Sequence, residues 1–250
     1  MDFYIISILT IVGFIAGFID SIAGGGGLIA LPAYLLAGVP PQVALGTNKF
    51  QGTLGTSVAT INFIRNGKVS VKIVLSGIFF ALSGAFIGSK LILTLDVEVV
   101  GRVIIFLLPL GIFATLYPRQ GVMPFKQLGP RDYLLTIPII CLSIGFYDGF
   151  FGPGTGSFLT LAFYTFLKLN FVEANANAKV FNLMSNLGAL ISFLIGGKVL
   201  FILAIPMALS NMVGNFVGSH LVLKQGEKVI KFFLIIILII LIITLAIKYF

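Results

Sequence analysis

The chain has 250 residues, 58% of them hydrophobic and only 10% charged, with a mean hydropathy of +1.14, which excludes an ordinary soluble domain. One cysteine, Cys141, and one histidine, His220, exclude an intrachain disulfide, a zinc cluster and a CxxC redox pair, so neither a metal nor a cofactor is expected. The net charge of +8 would suggest nucleic acid in a soluble protein, but these basic residues lie mostly in short loops between apolar segments, where membrane lipid is the expected partner.

A spanning helix needs about 20 apolar residues. Long candidates fall at 3–20, 42–64, 70–93, 98–117, 132–151, 174–195, 198–222 and 229–249. Met1-Asp2-Phe3-Tyr4 has no basic n-region and no small-residue cleavage site follows, so the first candidate reads as a retained membrane segment. Two shorter apolar stretches, 28–39 and 157–169, follow glycine-rich sequences and are too short to cross alone. Each is expected to be half of a broken or re-entrant pair. The stretch 118–131, with Pro118, Pro124, Gly129 and Pro130, reads as a cytoplasmic linker. Pro109, Pro138 and Pro206 are expected to kink their helices. The predicted fold is an all-α polytopic membrane protein with about 8–10 transmembrane segments.

The chain also repeats itself. Gly17-Phe18-Ile19-Asp20 returns as Gly145-Phe146-Tyr147-Asp148, Ala44…Lys49 as Ala174…Lys179, and Gly84…Gly88 as Gly214…Gly218. Residues 1–117 form one copy and 132–250 the other, with about five helical segments each. Such repeats mark many secondary transporters. If each copy reverses sides an odd number of times, Arg65, Lys68, Lys72, Arg119, Lys126, Arg131, Lys168, Lys224, Lys228 and Lys231 share one face, and Lys90, Arg102, Lys198 and Lys248 the other. The richer face should be cytoplasmic. The two copies are therefore expected in inverted topology, in the plasma (inner) membrane, with both termini extracytoplasmic. Gly13/Gly17, Gly84/Gly88 and Gly214/Gly218 read as close helix-packing pairs, and exposed faces of the Gly84/Gly88 type could support a homodimer.

Two cations remain inside apolar segments, Lys49 and Lys179 at matching positions. Lys49 lies roughly 12 Å along its helix, near mid-membrane. A charge there costs on the order of 3 kcal/mol, which function usually explains. The readings left open are contact with an anion, a structural ion pair with Asp20 and Asp148, or snorkelling to the surface. Gly24, Gly25, Gly26 and Gly27, and Gly152 and Gly154 with Thr155, precede the two short helices. There, flexible backbone and a helix N-terminus could form an anion nest. Asp20 and Asp148 could cap these turns, pair with a lysine, or carry a proton. Asn48, Gln51 and Gly55 on one segment, and Asn175, Lys179, Asn182 and Asn186 on the other, form polar stripes at helical spacing. These suit the lining of a solvated ligand, although interhelical hydrogen bonds explain some of them.

At these residues, and over essentially its whole length, the chain resembles the sulfite exporter TauE/SafE family. The features that carry the likeness are Gly17-Phe18-Ile19-Asp20 with the following glycines, Pro32, Gly46-Thr47-Asn48-Lys49, and the second copy from Gly145 through Asn186. The resemblance implies a transporter of small sulfur-containing anions such as sulfite, sulfoacetate or thiosulfate, or of other organic anions. The second copy has Asn177-Ala178-Lys179 where the first has Thr47-Asn48-Lys49, so the halves cannot contact a ligand identically.

The expected mechanism is alternating access, the halves rocking about an anion held between the glycine turns, with export the favoured direction. A weak-acid anion channel and proton-coupled uptake of the same anions are the alternatives. An enzyme is not expected. There is no Ser/His pair, no His-Glu metal spacing and no nucleotide loop, and hence no catalytic residue.

Overall fold

The structure, a computed structural model, describes residues 3–116 and 127–226. The expected segment 229–249 and most of the 118–131 linker lie outside the described residues. All described regular elements are helical: α1 (Phe3–Ala23), α2 (Gly26–Leu36), α3 (Pro41–Arg65), α4 (Val71–Leu93), α5 (Val97–Leu116), α6 (Ile137–Phe150), α7 (Thr155–Phe166), α8 (Phe171–Ile195) and α9 (Phe201–Gln225). A π-helical turn, Asp132–Thr136, leads into α6. Pro138 stands two residues after it; a proline ring crowds the carbonyl four residues back, and the wider π turn relieves that clash.

The residue distribution is the reverse of a soluble protein's. Leu75, Phe106 and Ile195 face outward, while Thr47, Lys49, Gln51, Asn177 and Lys179 are buried. Six described helices are long and apolar enough to cross a membrane: Tyr4–Ala23, Val71–Leu93, Val97–Thr115, Asp132–Phe150, Phe171–Ile195 and Phe201–Gln225. With α3 as long as α8 but too polar to be counted with them, the chain is a multi-pass membrane protein whose polar helix is shielded by its neighbours. α2 and α7, at 11 and 12 residues, are the short helices expected from the sequence. Both start two residues earlier than predicted, because Gly26, Gly27 and Thr155 join the first helical turn.

Helix directions follow from the contacts. Gly13 of α1 meets Met207 of α9, Gly17 meets Asn211, and Gly218 meets Phe18 and Ser21, so α1 and α9 run parallel. On α4 and α6, Gly77 meets Ile137 and Cys141, Gly84 meets Leu142, and Gly88 meets Phe146, which makes that pair parallel too. By the same test α9 runs with α3 (Thr47 to Leu200, Asn62 to Ser219), and α8 runs with α4 (Ser70 to Asn177, Phe86 to Ser192). Between α3 and α8 the order reverses, since Lys49 meets Asn186 and Thr60 meets Lys179.

Two four-helix bundles result. One contains α1, α2, α3 and α9; the other contains α6, α7, α8 and α4. Each takes its fourth helix from the opposite half of the sequence, through the connections at 66–70 and 196–200. Each connection turns on a left-handed glycine, Gly67 (φ +66°) and Gly197 (φ +63°). One apolar core, from Ile73, Ala81, Ile137, Cys141, Phe163 and Phe181 among others, lies wholly within the second bundle. The expectation that Gly84 and Gly88 form a dimer face is corrected: both are buried against backbone oxygens of α6, so neither is presented to a partner.

Candidate functional site

The bundles meet where α3 crosses α8 and where the two glycine turns touch. After α1, Gly24 (φ +78°) reverses the chain so that α2 folds back along α1, with Gly26 against Ala16 and Asp20. After α6, Gly152 (φ +97°) and Gly154 (φ +88°) do the same for α7. Gly24 packs directly on the backbone of Gly156 and Ser157, and Gly27 lies against Pro153. Side chains at these points would hold the bundles apart, which is the physical need for glycine on both sides.

Beside this contact lies a small polar cleft between the two bundles. Gly24, Gly26, Gly27, Asn48, Lys49, Gly152, Gly154, Thr155 and Asn182 line it, as do Asp20 and Asp148. Three sequence candidates do not. Gly25 turns toward Thr115 of α5; Asn175 donates to Ser21 O; and Lys179 lies behind Asp20. Asn175 and Lys179 share a helical stripe with Asn182 and Asn186 but sit further along the axis, beyond the height of the cleft. Gln51 and Asn186 of the polar stripes also line it, as do Thr56 and Gly156. Gly52 and Asn211 do so without having been singled out. For Asn211 the signal was present, since asparagines at 211 and 215 are costly in an apolar helix.

Charges in the cleft are balanced across the bundles. Lys49 Nζ lies 2.7 Å from Asp148 Oδ1, and Lys179 Nζ lies 2.9 Å from Asp20 Oδ2. Each ammonium thus meets the carboxylate of the other half, the ion-pair reading of the sequence. The two lysines are otherwise unlike. Lys179 also donates to the Asp20 carbonyl and is fully enclosed. Lys49 lines the cleft and donates a second bond to Asn186 Oδ1 at 3.2 Å; each ammonium has two acceptors and a third N–H with no partner among the described residues. Lys49 also presses on the glycine turn, where a Cβ at Gly152 would lie 2.8 Å from its nitrogen.

The carboxylates differ as well. Thr56 donates to Asp20 Oδ2 at 3.3 Å. The Thr155 hydroxyl lies 2.6 Å from both Asp148 Oδ1 and Gly152 O, sharing its one proton between them. Asp148 is buried, yet its Oδ2 has no hydrogen-bond partner among the described residues. Tyr34 donates to Gln51 Oε1 at 2.7 Å and holds one wall. Among the described residues no group of His, Cys, Asp and Glu could hold a metal ion. The arrangement offers an ammonium, carboxamides and first-turn N–H groups to a small polar solute, with two carboxylates close by.

The model of the family described as sulfite exporter TauE/SafE matches residues 9–245. A probable membrane transporter protein of Sinorhizobium sp is 41% identical over 240 residues, covering 95% of this chain and 90% of that protein. One from Haemophilus influenzae is 40% identical over 228 residues, 91% of this chain and 89% of the other. The probable membrane transporter protein YfcA of Escherichia coli is 39% identical over 229 residues, 91% of this chain and 84% of its own. No solved structure matches.

Proposed function

The chain belongs to the sulfite exporter TauE/SafE family and is a membrane transporter of that class, and on this premise we propose that it carries a small sulfur-containing or organic anion by alternating access. The anion binds in the cleft between the two bundles, with Lys49 as its cation and Asn48, Asn182, Asn186 and the first-turn amides of α2 and α7 as hydrogen-bond donors. The single observation that carries this reading is a buried ammonium with an unused donor, facing a polar cleft inside an apolar protein.

The two copies act in inverted topology. Support comes from helix direction: α1 and α6, α3 and α8, and α4 and α9 are equivalent in sequence, and each member runs opposite to its equivalent. The moving bodies are the two mixed bundles rather than the two sequence halves. Rocking one half as a unit would tear α1 from α9 and α4 from α6, where glycine backbones are in contact.

Sulfite is the substrate that the family description favours, with sulfoacetate and thiosulfate as further anions of the same chemistry, and with exit from the cytoplasm across the plasma membrane. The interior-negative potential assists that direction by about 2.3 kcal/mol per 100 mV for each charge that leaves uncompensated. The test is flux of these three anions in proteoliposomes of the full chain. Transport that survives unchanged in Lys49→Ala defeats the assignment, and single-channel currents would replace the carrier by a pore.

A further inference from the structure

The Lys49–Asp148 pair sits in the cleft and joins the two bundles, so an incoming anion meets a lysine already neutralised. Two anionic groups cannot both stay ionised on one ammonium in a site shielded from water. One of them has to leave or take up a proton. Asp148 has room for that proton: Oδ1 holds Lys49 at 2.7 Å and Thr155 at 2.6 Å, while Oδ2 is buried, has no donor among the described residues, and belongs to a residue lining the cleft. The bond that would be given up is replaceable, because the anion supplies Lys49 with the same oxygen chemistry.

We propose that the transported anion binds Lys49 in exchange for Asp148, which takes a proton on Oδ2 as the anion enters and returns it as the anion leaves, so that one proton travels with each anion in the same direction. The proton comes from water on the side to which the cleft is open and is released to water on the other side. This rests on the carrier reading above.

Among the described residues, Lys49 is the one charged group bonded to Asp148, and the Asp20 carboxylate lines the same cleft. From α7 it meets the Thr155 hydroxyl, and from α3 the Lys49 ammonium. Of the charged residues on the other helices packed against α6, Lys72 and Lys90 stand near the two ends of α4, Glu173 lies in the first turn of α8, and Lys179 is held by Asp20. The adjacent Tyr147 phenol donates to Pro153 O. The Lys179–Asp20 pair is a fixed counterpart, since Lys179 is outside the cleft lining and is bound to the Asp20 backbone as well as to its side chain.

Exchange at Lys49 has an electrical consequence. The empty site holds one cation and one anion, and a site loaded with a monoanion and a proton holds the same, whereas a dianion such as sulfoacetate or thiosulfate leaves one negative charge over. A monoanion therefore crosses without net charge, and its direction follows the anion and pH gradients rather than the membrane potential.

Sulfoacetate and thiosulfate test the proposal well, because both are fully ionised at neutral pH and bring no proton of their own. In proteoliposomes with the potential clamped by potassium and valinomycin, anion flux and lumenal pH are recorded together. One proton per anion is expected, with an imposed pH gradient driving either anion uphill. Flux of either anion without proton movement overturns the coupling and leaves the carrier reading standing; no flux of either, nor of sulfite, defeats that reading and the coupling with it. In Asp148→Asn, whose amide neither gains nor releases a proton, anion-for-anion exchange is expected to continue while net flux falls at least tenfold. Net flux still coupled to protons in that variant overturns the proposal. Should the variant not fold, the proton-to-anion ratio of the unaltered protein decides alone.

Discussion

Lys49 reaches 2.7 Å from Asp148, so the cation of the first half of the chain is neutralised by the carboxylate of the second. Lys179 and Asp20 repeat the exchange in the other direction. Along α3, Lys49 and Thr56, whose hydroxyl donates to the paired Asp20 carboxylate, are separated by roughly 10 Å of helix rise. The two bundles are therefore pinned above and below the level where α3 crosses α8.

Removing one partner of a buried pair strands the other charge, at about 3–5 kcal/mol, whereas replacing both by apolar residues is close to neutral. Asp20→Leu alone should lower the melting temperature of the detergent-solubilised protein markedly. The double variant Asp20→Leu with Lys179→Met should recover most of the loss. A double-variant loss equal to the sum of the Asp20→Leu and Lys179→Met losses would mean that the pair contributes no coupling.

Backbone contact between α4 and α6 predicts intolerance of a single methyl group. At Gly149 an added Cβ runs into Ala85 O, so Gly149→Ala should cost about 1–3 kcal/mol in thermal melting. A Cβ added at Gly129 would meet nothing within 4 Å among the described residues, and Gly129→Ala should melt with the unaltered protein.

The shared stripe on α8 separates into two roles. Asn182 faces the cleft and Asn175 holds Ser21 O. Asn182→Leu should raise KM for the anion about tenfold or more, the scale of losing one or two polar contacts, with the melting temperature little changed. Asn175→Leu should instead lower the melting temperature and leave KM close to its original value. Reversal of these two outcomes would move the ligand to the Lys179 level.

Orientation is open to thiol labelling without first removing the native cysteine, because Cys141 is enclosed in an apolar core. In intact cells, an impermeant maleimide should label Lys90→Cys and Lys198→Cys from outside. Lys68→Cys and Lys72→Cys should react only after the membrane is opened. Labelling of all four from the same side would refute the inverted arrangement.

The segment pattern was readable because apolar length has a physical minimum for crossing a bilayer. α2 and α7 stood out as too short, and the glycines before them marked where the chain folds back. The partners of the packing glycines were not readable. Gly84 and Gly88 announce a close approach without saying to what, so packing between helices was expected, with a dimer face as a further possibility. Sequence spacing also grouped Asn175 and Lys179 with Asn182 and Asn186, since helical periodicity reports which way a side chain faces and says nothing about the depth of a cavity. The cross-pairing of lysines and aspartates was one of the open readings; deciding it required knowing that α3 and α8 run in opposite directions.

Swapping α4 and α9 between the bundles means that no fragment ending at the linker is self-sufficient. Residues 1–117 would supply three walls of one enclosure and a single wall of another, with Asp20 and Lys49 both stripped of their counter-charges. Cutting the chain there and producing both pieces in one cell should restore transport, because each piece is the other's missing scaffold; either alone should be cleared as unassembled protein.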